Sequence, residues 1–300
     1  MPRRRDVLGW RATLRALESR MRAADVIHWY FGRSVAPLGL DSRLVLNANR
    51  PGVVEFLGSD VRDPAVECTD NPYYAAAFGR GYEYMREESS RSSRRVQMTF
   101  LRAGFVPVVP NGVVQYLIPA AREVARVIER GVLLEDYPLA QRPSNEVPVV
   151  VHAPSAPVAK GTEMIEAALD SLRGDVEFEY VRLEGVPRRE ALATMMQADV
   201  VVDQVVLGDY GMAAIEAMAL AKPVVAWVKP AIRVLYPPDL PVVDARVEDL
   251  PQVLHRLLTD PELRTTIGTQ GRRFVERYHN ARLRAREMME LYLELTGGPA

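Results

Sequence analysis

Two short polar stretches in the second half of the chain have the residue types to hold an anion. Lys160-Gly161-Thr162 closes a loop and opens a helical stretch. A lysine there can reach over bound phosphates while Gly161 and Thr162 present backbone N–H groups. Gly208-Asp209-Tyr210-Gly211 is a second, glycine-bracketed loop, and a helical stretch follows it. The first N–H groups of a helix have no partner within it, and the helix dipole adds positive character at that end. Glu216 lies on this second helix among small apolar neighbours, so it should be partly buried. A buried carboxylate needs a partner, and the hydroxyl groups of a ligand would serve. Alone, Lys160 reads as a solvated turn lysine; the second loop turns the reading towards a ligand.

Other chemistries find little support. The four histidines, His28, His152, His255 and His279, are scattered, and no pair has metal-ligand spacing. No two aspartates stand two apart, so no D-x-D motif can carry a divalent ion, and no metal or other cofactor is expected. The strings of a Walker loop, a dinucleotide fingerprint and a G-x-S-x-G elbow are absent. Basic and aromatic residues do not interleave as they do in single-strand binders. Net charge is −1, which gives no overall pull towards nucleic acid.

The elements that must position the two loops read as alternating strands and helices. Residues 149–151, 178–181, 200–202 and 224–228 are short apolar strands. Residues 163–172, 188–197 and the stretch around Ile215, Met218 and Ala219 are helical, and Pro223 ends the last of these. Such alternation predicts a parallel sheet covered on both faces. Both loops follow strands of that one sheet, so both should open on the same rim. Helices are also expected over 249–258, 261–278 and 281–295.

The first half is less regular. Residues 7–24 carry apolar residues at helical spacing with arginines around them. They read as a surface helix packed on a sheet, with an amphipathic helix on an anionic membrane as the alternative. Residues 25–31 read as a strand holding His28, either a satisfied core histidine or one that faces a substrate. Residues 53–56 form another strand, and Ser59 and Asp60 follow in a loop that could meet a ligand or make a turn. Residues 73–104 look helical, with REESSRSSRR at 86–95 as a solvated junction. Residues 105–109 form a strand whose Pro107 suggests an edge. The three prolines of 138–148 mark a linker.

Three hundred residues suggest two domains. The 48% apolar and 26% charged shares are those of an ordinary globular chain. Cys68 is the only cysteine, which fits a reducing cytosol. No apolar run reaches the length of a membrane span, and the arginines near the N-terminus precede no apolar block of a signal peptide.

Taken together, HAPSAPVAKGT at 152–162, EGVPRREA at 184–191, ADVVVDQ at 198–204 and GDYGMAAIEAMALAKPVVAW at 208–227 resemble retaining glycosyltransferases of family 4. DVIHWYFG at 25–32 and VVEFLGSDVRDP at 53–64 are similar to that family's N-terminal domain, more loosely. The resemblance implies a GT-B fold: two Rossmann-like parallel-sheet α/β domains facing a cleft, with the last helix crossing back. It implies a shortened acceptor-side domain over 1–142, a nucleotide-sugar-binding domain over 143–280 and the returning helix over 281–300. Lys160 would hold the donor diphosphate and Glu216 the ribose hydroxyls, and these are the two expected catalytic residues. Tyr210 and Gly211 would lie by the sugar and its phosphate, with Ser155, Gly161, Thr162, Gly208 and Met212 also lining the donor. Leu183, Glu184 and Gly185 would border the base. His28, Ser59 and Asp60 are the acceptor-side candidates.

The resemblance further implies a nucleotide-sugar co-substrate, no required metal, and a saccharide, lipid-linked or small-molecule acceptor. The expected location is the cytoplasm, with a peripheral place at the inner membrane face left open. The chain departs from the family at four points. Gly208 replaces the first of two glutamates. Ser155 and Pro157 stand where an arginine is usual. Leu57 replaces a histidine, and the chain begins close to the DVIHWYF strand. These departures motivate a second reading, a homologue that binds nucleotide-sugars or a partner enzyme without catalysing. A sugar-nucleotide epimerase of the same fold is a third.

Overall fold

The computed structural model describes residues 4–32, 40–139 and 145–298. Short runs of β-branched residues form nine strands among the described residues, and these make two wholly parallel sheets. Two compact units result, one of 1–66, 86–128 and 285–300, the other of 67–85 and 129–284.

In the first unit, β1 (Ile27–Tyr30), β2 (Gly52–Glu55), β3 (Phe105–Val109) and β4 (Arg126–Val127) lie in that order. One face packs Val54, Phe56, Phe105 and Val109 against Met21 of the helix Arg4–Ala23 and Phe100 of the helix Ser90–Arg102. The other face packs Val53 and Val108 on Leu291, with Met288, Tyr292 and Leu295 beside it on the last helix, Ala281–Thr296. Pro107 does not mark an edge strand, because β3 pairs with both β2 and β4. Its missing donor is accommodated by register. The Val108 carbonyl faces β2, so Pro107 faces the β4 side, where β4 reaches only Val108 and Val109.

The second unit holds β5 (Val149–His152), β6 (Glu179–Arg182), β7 (Val200–Val202), β8 (Val224–Ala226) and β9 (Val243–Asp244), in the order β6-β5-β7-β8-β9. Neighbouring residues face opposite sides, as the strand period requires. Val151, Val201, Val224 and Ala226 belong to one core cluster, and Val150, Val200, Val202 and Val225 to the other. Burial on both faces explains why these strands read as unbroken apolar runs. From β5 the chain goes first to β6 on one side and then to β7 on the other. The crevice beyond the carboxyl ends of β5 and β7 is therefore a topological switch point, where open α/β sheets take their ligands.

Two features differ from expectation. The helical stretch at 73–104 is broken: one helix, Pro72–Arg80, ends at Gly81 with φ 87°, and another starts at Ser90, where the Ser89 side chain accepts the Ser92 N–H. The division of the chain also departs from a boundary at 142/143, a position outside the described residues. The second unit begins at Glu129 and takes in residues 67–85 as well. That early segment is tied to the second sheet by side chains. The Lys229 ammonium, 1% exposed, lies 3.1 Å from Glu67 and 2.7 Å from Asp70. Asn71 donates to the Val206 carbonyl at 2.8 Å, and the Tyr73 ring meets Trp227 edge-on at 4.8 Å. Glu83 accepts the N–H groups of Val158 and Ala159.

No helix among the described residues is long and apolar enough to cross a membrane. Removing one partner of a buried ion cluster leaves charge without compensation. Lys229→Ala is therefore expected to lower unfolding free energy by about 3–5 kcal/mol, measured by urea denaturation. A loss under about 1 kcal/mol, the size of a surface pair, would contradict the assigned role.

Candidate donor site

Three loops leave the carboxyl ends of adjacent strands of the second sheet: after β6, after β5 and after β7. After β5 the chain makes one helical turn, Pro157–Lys160, and Gly161 takes φ 80° so that the helix Thr162–Asp170 can start in a new direction. A Cβ at Gly161 would lie 2.6 Å from Val205 and 3.0 Å from Val206, so the two loops pack backbone to side chain. The Lys160 carbonyl accepts the Val205 N–H at 3.0 Å. After β7 the chain runs to Gly211, which opens the helix Met212–Ala219 with no side-chain cap. Its first N–H groups are thus left for other acceptors.

Asp203, the residue after β7, joins the loops. Its side chain has no exposed surface. One carboxylate oxygen lies 2.7 Å from the Lys160 ammonium, and the other accepts the Gly211 N–H. The ammonium sits so close to Gly211 that a Cβ there would lie 2.7 Å from it. The structure thus brings Lys160 to the N-terminus of the helix that carries Glu216. Glu216 is half-buried on that helix, as its neighbours implied. Its Oε1 accepts the Tyr137 hydroxyl at 2.8 Å and the Arg188 Nε at 3.2 Å. Arg188 also donates to the Tyr137 oxygen and stacks over its ring. Burial, and then the Glu216 carboxylate, push the Tyr137 hydroxyl above its ordinary pKa. Tyr137 therefore stays a neutral donor to Glu216.

The remaining candidates divide. Ser155 and Met212 are exposed at the rim, as are Glu184, paired with Arg182, and Gly185 in a turn at φ 69°. Leu183 is buried, its N–H on the His152 carbonyl. The Thr162 side chain points inward and donates to His152 Nε2 at 2.9 Å, while His152 Nδ1 donates to the Val202 carbonyl. Burial holds His152 below its usual pKa, so it is a neutral core bridge. Gly208 is buried behind the loop against Lys229 and Asn71. Tyr210 is 1% exposed and its hydroxyl donates to His279 Nε2 at 3.0 Å, so only its backbone lies with the loop.

The first unit's candidates have partners of their own. Asp60 is buried and accepts the N–H groups of Gly32, Leu57 and Gly58 at 2.8 to 3.0 Å, so it anchors two loops. Burial raises its pKa against those bonds. Ser59 is half-buried beside it. His28 is not a core residue: it is exposed, with Nδ1 on the Tyr292 hydroxyl and Nε2 3.2 Å from Glu55.

A second network underlies the 208–211 loop. Asp209 accepts the Tyr236 hydroxyl and its own loop's Tyr210 N–H, with the Arg130 guanidinium 4.0 Å away. His279, unexposed, donates from Nδ1 to the Arg130 carbonyl. Asp209 and Tyr210 belong to the loop that the sequence singled out, but Arg130, Tyr236, Asp203, Tyr137 and Arg188 were not singled out as site residues. Asp203 carries one signal, as the first polar residue after a buried strand. Among the described residues, no three His, Cys, Asp or Glu side chains gather as metal ligands.

Two parallel-sheet units of this kind define the GT-B class of fold, and solved structures of that class superpose on the chain. Sucrose-phosphate synthase from Thermosynechococcus elongatus matches with TM-score 0.66 and 16% identity over 99% of this chain and 80% of its own. A glycosyltransferase from Rickettsia africae matches with TM-score 0.64 and 16% identity over 94% and 80%. HepE of Anabaena, solved with UDP-glucose, matches with TM-score 0.56 and 16% identity over 93% and 81%. Residues 160–290 match the model of a family described as glycosyl transferase-like. They take in Lys160, Asp203, Gly211 and Glu216. No curated protein sequence matches the chain significantly.

The second network sets a pH test. Burial pushes the Asp209 carboxyl up to about 7, from an unfolded value of about 3.9. The native state then holds the extra proton across that window, and stability falls as pH rises through it. Burial pulls His279 down to about 4 from 6.5. There the unfolded state holds the extra proton, and stability rises with pH up to about 6.5. The two slopes oppose each other. Asp209→Asn removes the first, so its stability in urea should climb from pH 4 to 6.5 more steeply than that of the unaltered protein. Parallel curves for the two proteins would contradict this pair of assignments.

Proposed function

We propose that the chain is a retaining glycosyltransferase that moves a sugar from a nucleotide-sugar donor to an acceptor hydroxyl without a metal ion. The supporting observation is the convergence of the Lys160 ammonium on the uncapped start of the helix that bears Glu216. That arrangement suits a nucleoside diphosphate. The cation and the helix N–H groups take the phosphates, and Glu216 takes the ribose hydroxyls through Oε2, since Tyr137 and Arg188 both bond Oε1. HepE, of the same fold, has been solved with UDP and with UDP-glucose, and the family match over 160–290 points the same way.

In the reaction, the bond from the sugar's anomeric carbon to the diphosphate oxygen breaks. A bond from that carbon to the acceptor oxygen forms on the same face. The acceptor's proton leaves to the departing phosphate or to solvent. Negative charge develops on the diphosphate, and a cation fixed at a helix N-terminus stabilises it most where it grows. Leu183, Glu184 and Gly185 would border the base. His28 and Ser59 would belong to the acceptor side, with a saccharide, lipid-linked or small-molecule acceptor. The lone cysteine, Cys68, fits a reducing cytoplasm.

A thermal-shift screen of UDP, GDP and ADP, followed by transfer assays with the donor so found, tests the reading. Lys160→Ala should lower kcat by about 10²–10³-fold. Glu216→Ala should weaken donor binding by about tenfold or more with Tm nearly unchanged, whereas Lys160→Ala should also lower Tm, because it leaves the buried Asp203 carboxylate without its cation. Full transfer in both variants would remove the assignment. Donor binding with neither transfer nor hydrolysis would favour the non-catalytic homologue.

A further inference from the structure

We infer that Asp203 is the positioning residue of this site: it holds the Lys160 ammonium and the start of the Met212–Ala219 helix together as one grip for a nucleoside diphosphate. The inference rests on the donor reading and adds to it a residue that touches no ligand.

Three observations carry it. First, the Asp203 carboxylate has no exposed surface, so it must be compensated from within, and its two oxygens face two different loops. One takes the Lys160 ammonium at 2.7 Å. The other takes the Gly211 N–H. Second, Asp203 cannot drift, since its own N–H bonds the Val225 carbonyl at 2.9 Å, which fixes it at the end of β7. Third, the base of the lysine is fixed without Asp203. The Lys160 N–H bonds the Ala156 carbonyl, and its carbonyl takes the Val205 N–H. Only the far end of a flexible four-carbon stem depends on the carboxylate.

The division has a chemical consequence. A lysine ammonium has three N–H donors. Asp203 uses one and leaves the others beside Gly211, where the helix N–H groups begin. A diphosphate arriving there meets a cation already ordered, and does not lose affinity to ordering a free side chain. The carboxylate also offsets the lysine charge, so the helix N–H groups beside Gly211 share in holding an anion rather than leaving it to the lysine alone.

Asparagine separates positioning from mere packing. It has the same shape but one acceptor oxygen and one NH2. It can satisfy Lys160 or Gly211, not both. In the full chain, Asp203→Asn should bind the nucleoside diphosphate about tenfold or more weakly, while affinity for the matching nucleoside, which has no phosphate, stays unchanged by calorimetry. Gly211→Ala gives a second route, because its Cβ would push the ammonium off Asp203; the same selective loss is expected. Unchanged diphosphate affinity in both variants, or an equal loss for the nucleoside, overturns the inference.

If the unaltered protein binds no nucleoside diphosphate, the donor reading fails, and the positioning role is then read from the lysine alone. Amine acylation followed by mass spectrometry should label Lys160 severalfold faster in Asp203→Asn than in the unaltered protein. Equal labelling overturns the role of Asp203 independently of any ligand.

Discussion

A carboxylate with no access to water must find its compensation inside the protein, and at Asp203 this requirement organises the second unit's rim. Its partners come from the loop after β5 and the loop after β7. Those loops can meet only because the two strands are neighbours in parallel register, Val150 opposite Val200 and His152 opposite Val202. The sheet order then matters as much as the side chains. A chain that left β5 for β6 and returned to β7 opens a crevice between the connections, and a lysine, backbone N–H groups and an acid face it from its two banks. The glycines follow from the same closeness. A Cβ at Gly211 would displace the ammonium, and one at Gly161 would meet Val205.

Behind the rim, a second layer sets the orientation of what lies in front. Tyr137 and Arg188 hold one oxygen of Glu216. His152 spans Thr162 and the end of β7. Tyr210, buried against His279 and Tyr236, anchors the loop from below and leaves only its main chain above. None of these contacts needs a ligand to form. All of them are made between groups of the protein itself.

Much of this was legible in the sequence, and the limits have physical causes. The strands and helices of the second half declare themselves because apolar runs, glycines and prolines act locally. The helix expected at 188–197 is the helix observed, Arg188–Gln197. Lys160 and the 208–211 loop were legible because a cation and two glycines at strand ends are local signals too. Asp203 was not, because its importance depends on which strand lies beside β7, and pairing is a long-range property. The same holds for Tyr137, which meets Glu216 across 79 positions of chain. Pro107 misled for the complementary reason: its tolerance comes from the shortness of a neighbouring strand, which the residues around it do not encode.

The loan of residues 67–85 to the second sheet means that this half is not encoded by one continuous piece of chain. Its buried lysine, Lys229, finds its counter-ions more than 150 positions upstream, and the first turn after β5 is capped by Glu83 from the same early segment. A chimaera that exchanged everything beyond the linker with a relative would separate that lysine from the acids it evolved beside. Exchange between such proteins is constrained to carry two separated stretches together or to preserve the pairing at both.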